Sequence, residues 1–124
     1  MAKHTVGGSG QSGMFSPGVI AEGRFIYVSG QSPKRNGVVV GETTAEQTAV
    51  ALENIAAILA EAGAGLEDVV RCGVYLDDMA DFAEMNEAYL EKFSEPLPAR
   101  TTVGVTLRGF KVEIDCVAVL PHQP

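Results

Sequence analysis

Residues 111–119 can only be a strand, and one whose two faces meet different surroundings. Val112, Ile114, Cys116 and Ala118 form one apolar face, while Lys111, Glu113 and Asp115 share the other, which Val117 and Val119 then continue. A period of two is that of a pleated strand. The first face belongs against a core. The second is half apolar, which a face left to water has no reason to be. The stretch before it reads the same way: Thr101, Val103, Val105 and Leu107 point one way, and Arg100, Thr102, Gly104 and Thr106 the other. Further upstream Val70, Cys72, Val74 and Leu76 alternate with Arg71, Gly73, Tyr75 and Asp77, a strand with one core face. Residues 24–29 (RFIYVS) are apolar on both sides, with Phe25, Tyr27 and Ser29 opposite Ile26 and Val28. A first strand is expected within 15–21, put at an edge or bulge by Pro17, and a short one at 38–40 after the PKRNG turn.

Two helices interrupt these strands. Thr43 or Thr44, followed three residues later by Glu46 or Gln47, matches a capping box, and Ala45, Ala49, Leu52, Ile55, Ala56 and Leu59 lie on one helical face. Gly63 or Gly65 ends that helix. A second helix is expected over about 81–93, with Phe82, Met85, Tyr89 and Phe93 inward and Pro96 and Pro98 stopping it. The order β-β-β-α-β-α-β-β predicts an α+β sandwich, two helices on one face of a mixed sheet. The helices cover only that face, so the half-apolar opposite face predicts a homo-oligomer. A chain of 124 residues has room for a single domain with an adequate core. That domain is expected over 14–124, with 1–13 as a flexible lead-in containing the low-complexity run GGSGQSG.

Charge narrows the partners. With 9 Lys and Arg against 16 Asp and Glu the net charge is −7, so nucleic acid and anionic membranes are poor partners and any anionic ligand needs a local cation. No apolar run approaches a membrane span, and the N-terminus lacks the layout of a signal peptide, so the cytoplasm is the expected compartment. Cys72 and Cys116 lie far apart in strand-like stretches and read as buried thiols; His4 and His122 sit near the termini. Neither a metal site nor a histidine-based triad is indicated.

Four short segments together resemble the Rid family, the reactive intermediate deaminases formerly called YjgF or endoribonuclease L-PSP proteins. They are Phe15-Ser16-Pro17-Gly18-Val19, Ile26-Tyr27-Val28-Ser29-Gly30-Gln31, Leu97-Pro98-Ala99-Arg100-Thr101 and Lys111-Val112-Glu113-Ile114, supported by Val74-Tyr75-Leu76-Asp77-Asp78 and Asn86. The resemblance spans about residues 14–120 and implies a chorismate mutase-like fold and a homotrimeric barrel with active sites between subunits. It also implies cofactor-free hydrolysis of 2-imino or 2-enamino acids to 2-keto acids and ammonia. Carried over by position, Arg100 matches the arginine that holds the substrate carboxylate, and Glu113 the acid near the attacking water. Ser29 and Asn86 match family site positions, and Gly30 and Gln31 follow Ser29 in the same turn. Phe15 stands where a tyrosine is usual and Thr102 where a cysteine is usual, as in divergent subgroups.

These residue types suit that chemistry. Arginine's planar fork gives a carboxylate two parallel hydrogen bonds and stays charged at any working pH. Imine hydrolysis needs a water, an electrophilic C=N carbon and a proton for the leaving nitrogen, which a positioned glutamate can manage. Structural roles stand beside these: an ion pair of Arg100 with Glu113 or Asp115, a salt bridge of Glu113 to Lys111, a bracing Asn86, a turn-forming Ser29, and β-propensity for Thr102, which shares a face with Arg100. Tyr89 and Phe93 read as core. The alternatives in function are a non-catalytic trimeric binder of small carboxylates with a regulatory role and a deaminase dedicated to one larger or cyclic enamine. Ribonuclease activity lacks both the basic surface and the histidines.

Overall fold

The structure is a computed structural model and describes residues 3–7 and 13–121. Among these, the elements run β1 (Lys3–Val6), β2 (Gly18–Ala21), β3 (Phe25–Gln31), β4 (Lys34–Arg35), β5 (Val38–Val39), α1 (Thr44–Glu61), β6 (Val69–Leu76), α2 (Phe82–Lys92), β7 (Ala99–Gly104) and β8 (Val112–Val119). A four-stranded sheet has the spatial order β3-β8-β6-β7. β8 is antiparallel to both of its neighbours, and β6 and β7 are parallel, so the sheet is mixed. A parallel pair needs a crossover, and α2 supplies it. The α+β class and the two-helix layer stand as expected.

Local chemistry sets the ends of α1. The Thr43 hydroxyl accepts from the Glu46 amide at 3.1 Å, and Glu46 Oε1 accepts in return from the Thr43 and Glu42 amides at 3.0 and 2.9 Å. Past the last turn Gly63 takes φ +83°, a left-handed conformation that glycine adopts without a Cβ penalty. The buried stripe is broader than the sequence suggests. Ala51, Leu52, Ile55 and Leu59 enter the core with Thr48, whose hydroxyl donates to the Thr44 carbonyl at 2.7 Å, while Ala45 and Ala49 are half-buried against α2. On the sheet, Val28, Cys72, Val74, Leu76, Val112, Ile114, Cys116 and Ala118 face the helices.

Several expectations need correction. The lead-in of 1–13 contains a strand: β1 pairs antiparallel with β2, and buried Lys3 donates from Nζ to the Val69 carbonyl at 2.8 Å. The ordered chain thus reaches back beyond Met14; residues 8–12 of the low-complexity run lie outside the described residues. The first expected strand begins at Gly18, because Ser16 is instead tied to the 97–98 segment by its amide and hydroxyl. A register shift between Val69 and Arg71 puts Val69, rather than Val70, into the core, since one extra residue inverts the phase of a strand. β7 ends at Gly104, short of the expected Leu107.

Candidate active site

Arg100 sits one residue into β7, directly across from Cys72 of β6. Partners in register share a face, so Arg100 and Thr102 point to the helix side of the sheet, opposite to the half-apolar face on which the sequence placed Arg100. The guanidinium is enclosed by three rings, with its Cζ 4.8 Å from the centroid of Tyr89, 5.5 Å from Phe15 and 5.8 Å from Phe82. Phe15 is held there by Ser16, whose amide and hydroxyl bond to the carbonyls of Pro98 and Leu97 at 3.1 and 2.6 Å. Phe82, Asn86 and Tyr89 come from consecutive turns of α2, where spacings of four and three put them on one face.

This pocket is polar without being satisfied. Arg100 is only 8% exposed, and burial pulls its pKa down. Its Nε and Nη1, Asn86 Oδ1 and Thr102 Oγ1 are buried without hydrogen-bond partners, and no carboxylate pairs with the guanidinium among the described residues. A buried ion without a counter-ion costs several kcal/mol, while a cation–π contact returns only about 0.5–2 kcal/mol. The deficit is what an incoming carboxylate would relieve. Tyr89, read from the sequence as core, is indeed fully buried, but its ring also flanks Arg100 and its hydroxyl is buried without a hydrogen-bond partner among the described residues. Burial pushes the Cys72 thiol up to about 11 and the Cys116 thiol up to about 12, so both stay protonated. The i, i+4 and i+7 relation of Phe82, Asn86 and Tyr89 was the available signal for a shared helix face beside the arginine.

Glu113 belongs to the other face. It lies opposite Tyr75 on β6, and its carboxylate leans across β3 over Gly30, where a Cβ would come within 2.2 Å of Oε2. Ser29 and Gly30 form a bulge: Val28 pairs with Cys116 and Gln31 with Ile114, so two residues oppose one. The strand expected over 24–29 stops short of Gly30; the bulge lets β3 continue to Gln31 instead. Asp115, on the same face, accepts from the Gly73 amide at 3.0 Å and the Tyr75 hydroxyl at 2.8 Å and lies 3.9 Å from Arg71. An ion pair of Arg100 with Glu113 or Asp115 is therefore ruled out by the sheet itself.

The seven candidates thus divide. Phe15, Asn86, Arg100 and Thr102 gather on the helix side, and Ser29, Gly30 and Glu113 on the opposite side. Within one chain Arg100 and Glu113 are separated by two strand spacings, about 10 Å, and by the sheet itself, with Ser29 and Gly30 one strand further away. Neither half alone combines a carboxylate clamp with an acid.

Comparison with known proteins is consistent across sequence and structure. Residues 9–120 match the family model described as Endoribonuclease L-PSP. A RutC family protein of Pyrococcus abyssi is 48% identical over 102 residues, covering 81% of this chain and 80% of the relative. A Rid family protein of Yersinia pestis, YyfB, superposes with TM-score 0.82 at 27% identity, covering 97% of this chain and 100% of the other. E. coli TdcF, solved with bound serine, gives TM-score 0.72 at 31% identity over 91% and 93% of the two chains.

Proposed function

Since this chain belongs to the Endoribonuclease L-PSP family, that of the Rid and YjgF proteins, with their chorismate mutase-like fold, we propose that it hydrolyses reactive 2-imino and 2-enamino acids to 2-keto acids and ammonia. One observation carries this reading: a buried arginine whose Nε and Nη1 have no hydrogen-bond partner among the described residues, set among three aromatic rings. A small 2-imino carboxylate fits that charge, and TdcF with bound serine is a relative of the same fold that holds an amino acid.

The division of the site between the two faces supports a homotrimer in which the Arg100 half of one subunit meets the Glu113 half of the next. Exposed Phe25, Tyr27 and Val103 on the outer sheet face supply apolar surface for that contact. In the joined site Arg100 binds the carboxylate and fixes C2 of the imine in front of the glutamate. Glu113 takes a proton from the attacking water and passes it to the imine nitrogen, giving a carbinolamine; it then takes the carbinolamine hydroxyl proton and hands it to the nitrogen as the C–N bond breaks, leaving the 2-keto acid and ammonia. Ser29, Gly30, Asn86, Phe15 and Thr102 shape the walls. The chemistry requires no cofactor, and we propose the cytoplasm as its compartment.

The test is hydrolysis of 2-iminopropionate and longer imino acids, generated in place by an amino-acid oxidase. Wild type should accelerate ammonia release, and Arg100→Ala and Glu113→Gln should each abolish the acceleration. Unfolding and refolding the two inactive variants together should restore activity at about a quarter of the sites, because a shared site needs Arg100 from one chain and Glu113 from its neighbour. No recovery would mean that the halves do not meet. A second reading, a carboxylate binder without turnover, is favoured by Phe15, which brings a ring but no hydroxyl to Arg100. Tight binding of 2-keto acids with no ammonia release would select it. A preference for one larger or cyclic enamine would select the dedicated deaminase.

A further inference from the structure

The fold treats the two outer-face acids of β8 differently. Asp115 is fully engaged: Oδ1 accepts from the Gly73 amide and faces Arg71, and Oδ2 accepts from the Tyr75 hydroxyl. Glu113 forms no side-chain hydrogen bond or ion pair with another described residue that would hold it in the same way. Yet Tyr75 is the residue directly across from Glu113. A tyrosine standing straight off β6 there would lie against the glutamate. Instead its hydroxyl is carried back over Gly73, where a Cβ would come within 2.9 Å of Tyr75 Oη and 2.5 Å of Asp115 Oδ1. On the other flank Gly30 leaves the corresponding space for Glu113. Two glycines, one on each strand beside β8, let the acids splay apart.

We propose that Tyr75, latched by Asp115 over Gly73, is a positioning residue that keeps the sheet surface beside Glu113 open, leaving its carboxylate hydrated and free to meet substrate. The proposal rests on Glu113 being the acid–base group of the proposed reaction. The bond to Asp115 raises the Tyr75 pKa, so the phenol remains a donor at working pH. The titratable and polar groups sharing this face are Arg71 on β6, Lys111 beside β8, Tyr27 and Ser29 on β3, and Thr101 on β7, and its apolar residues include Phe25, Val103 and Val117.

Two variants break the latch in different ways. Tyr75→Phe removes the hydroxyl and keeps the ring, and Gly73→Ala keeps every hydrogen-bonding group but closes the ring's resting place. The Glu113 titration is followed by NMR of the full chain labelled with carboxyl-13C glutamate, the resonance being identified by its loss in Glu113→Gln. Both variants should release the ring onto the carboxylate and raise its midpoint by about half a unit or more through lost hydration. The kcat for 2-iminopropionate should fall about threefold or more, with KM within about twofold. A merely structural Tyr75 would lower the melting temperature and leave midpoint and kcat at wild-type values, which overturns the proposal. The milder Tyr75→Phe decides the matter if Gly73→Ala does not fold. A wild type that turns over no imine would count against the deaminase reading alone, because the titration reports on the latch without turnover.

Discussion

Arg100→Met separates what Arg100 does for the fold from what it does for the site. Methionine fills similar volume and removes an ion buried without a counter-ion, so the variant should be more stable than wild type by about 1 kcal/mol or more while losing carboxylate binding. Urea denaturation with an imine assay on the same samples checks both; a destabilised Arg100→Met would show that the ring cage already compensates the charge. Gly30→Ala makes the complementary point. Its Cβ would displace the Glu113 carboxylate, which is the far end of a flexible chain, so activity should fall about tenfold or more with little change in melting temperature. At this scale the sequence was informative about residue types. Arg100 and Glu113 are picked out by the family resemblance, Arg100 also by the need for a local cation in a −7 chain. Their separation was not legible, because a strand's alternation tells which neighbours share a face but not which face packs on the helices.

Among the elements, α1 was the most legible because its signals are local. The box of Thr43 and Glu46 forms as read, and Thr43→Ala should cost about 1 kcal/mol in a denaturation experiment. Glu46 carries a pH dependence of known sign. The Glu42 and Thr43 amides donate to its carboxylate and hold its pKa below the ordinary value of 4.5. The stabilisation is thus fully present above that value and is lost as pH falls through the lower folded value. Replacing Glu46 with Gln should flatten this part of the stability profile; an unchanged acid limb would count against the box. The bulges were not legible. Nothing in Val69-Val70-Arg71 says which valine is extra, and the choice is made by pairing with Val117 and Ala118 across the sheet. Likewise Ser29-Gly30 reads as a strand end, yet β8 continues past it and holds β3 to Gln31.

The assembly can be tested on the outer face. Tyr27 is 77% exposed and Val103 42%, so a charge there should cost the single chain little but block a partner's apolar surface. Tyr27→Glu is expected to give a monomer by light scattering, with native circular dichroism and no imine hydrolysis. A fully active monomer would show that one chain suffices. The sequence by itself determined what depends on neighbours along the chain: the α+β order, the capped first helix, the strand alternations, the half-apolar second face and the family to which these segments belong. Only the tertiary structure decided that Lys3–Val6 is a strand, that three rings from two segments close around Arg100, and that Arg100 and Glu113 project from opposite faces. Those outcomes depend on which strands pair and in what register, and pairing is settled by contacts between residues far apart in the chain.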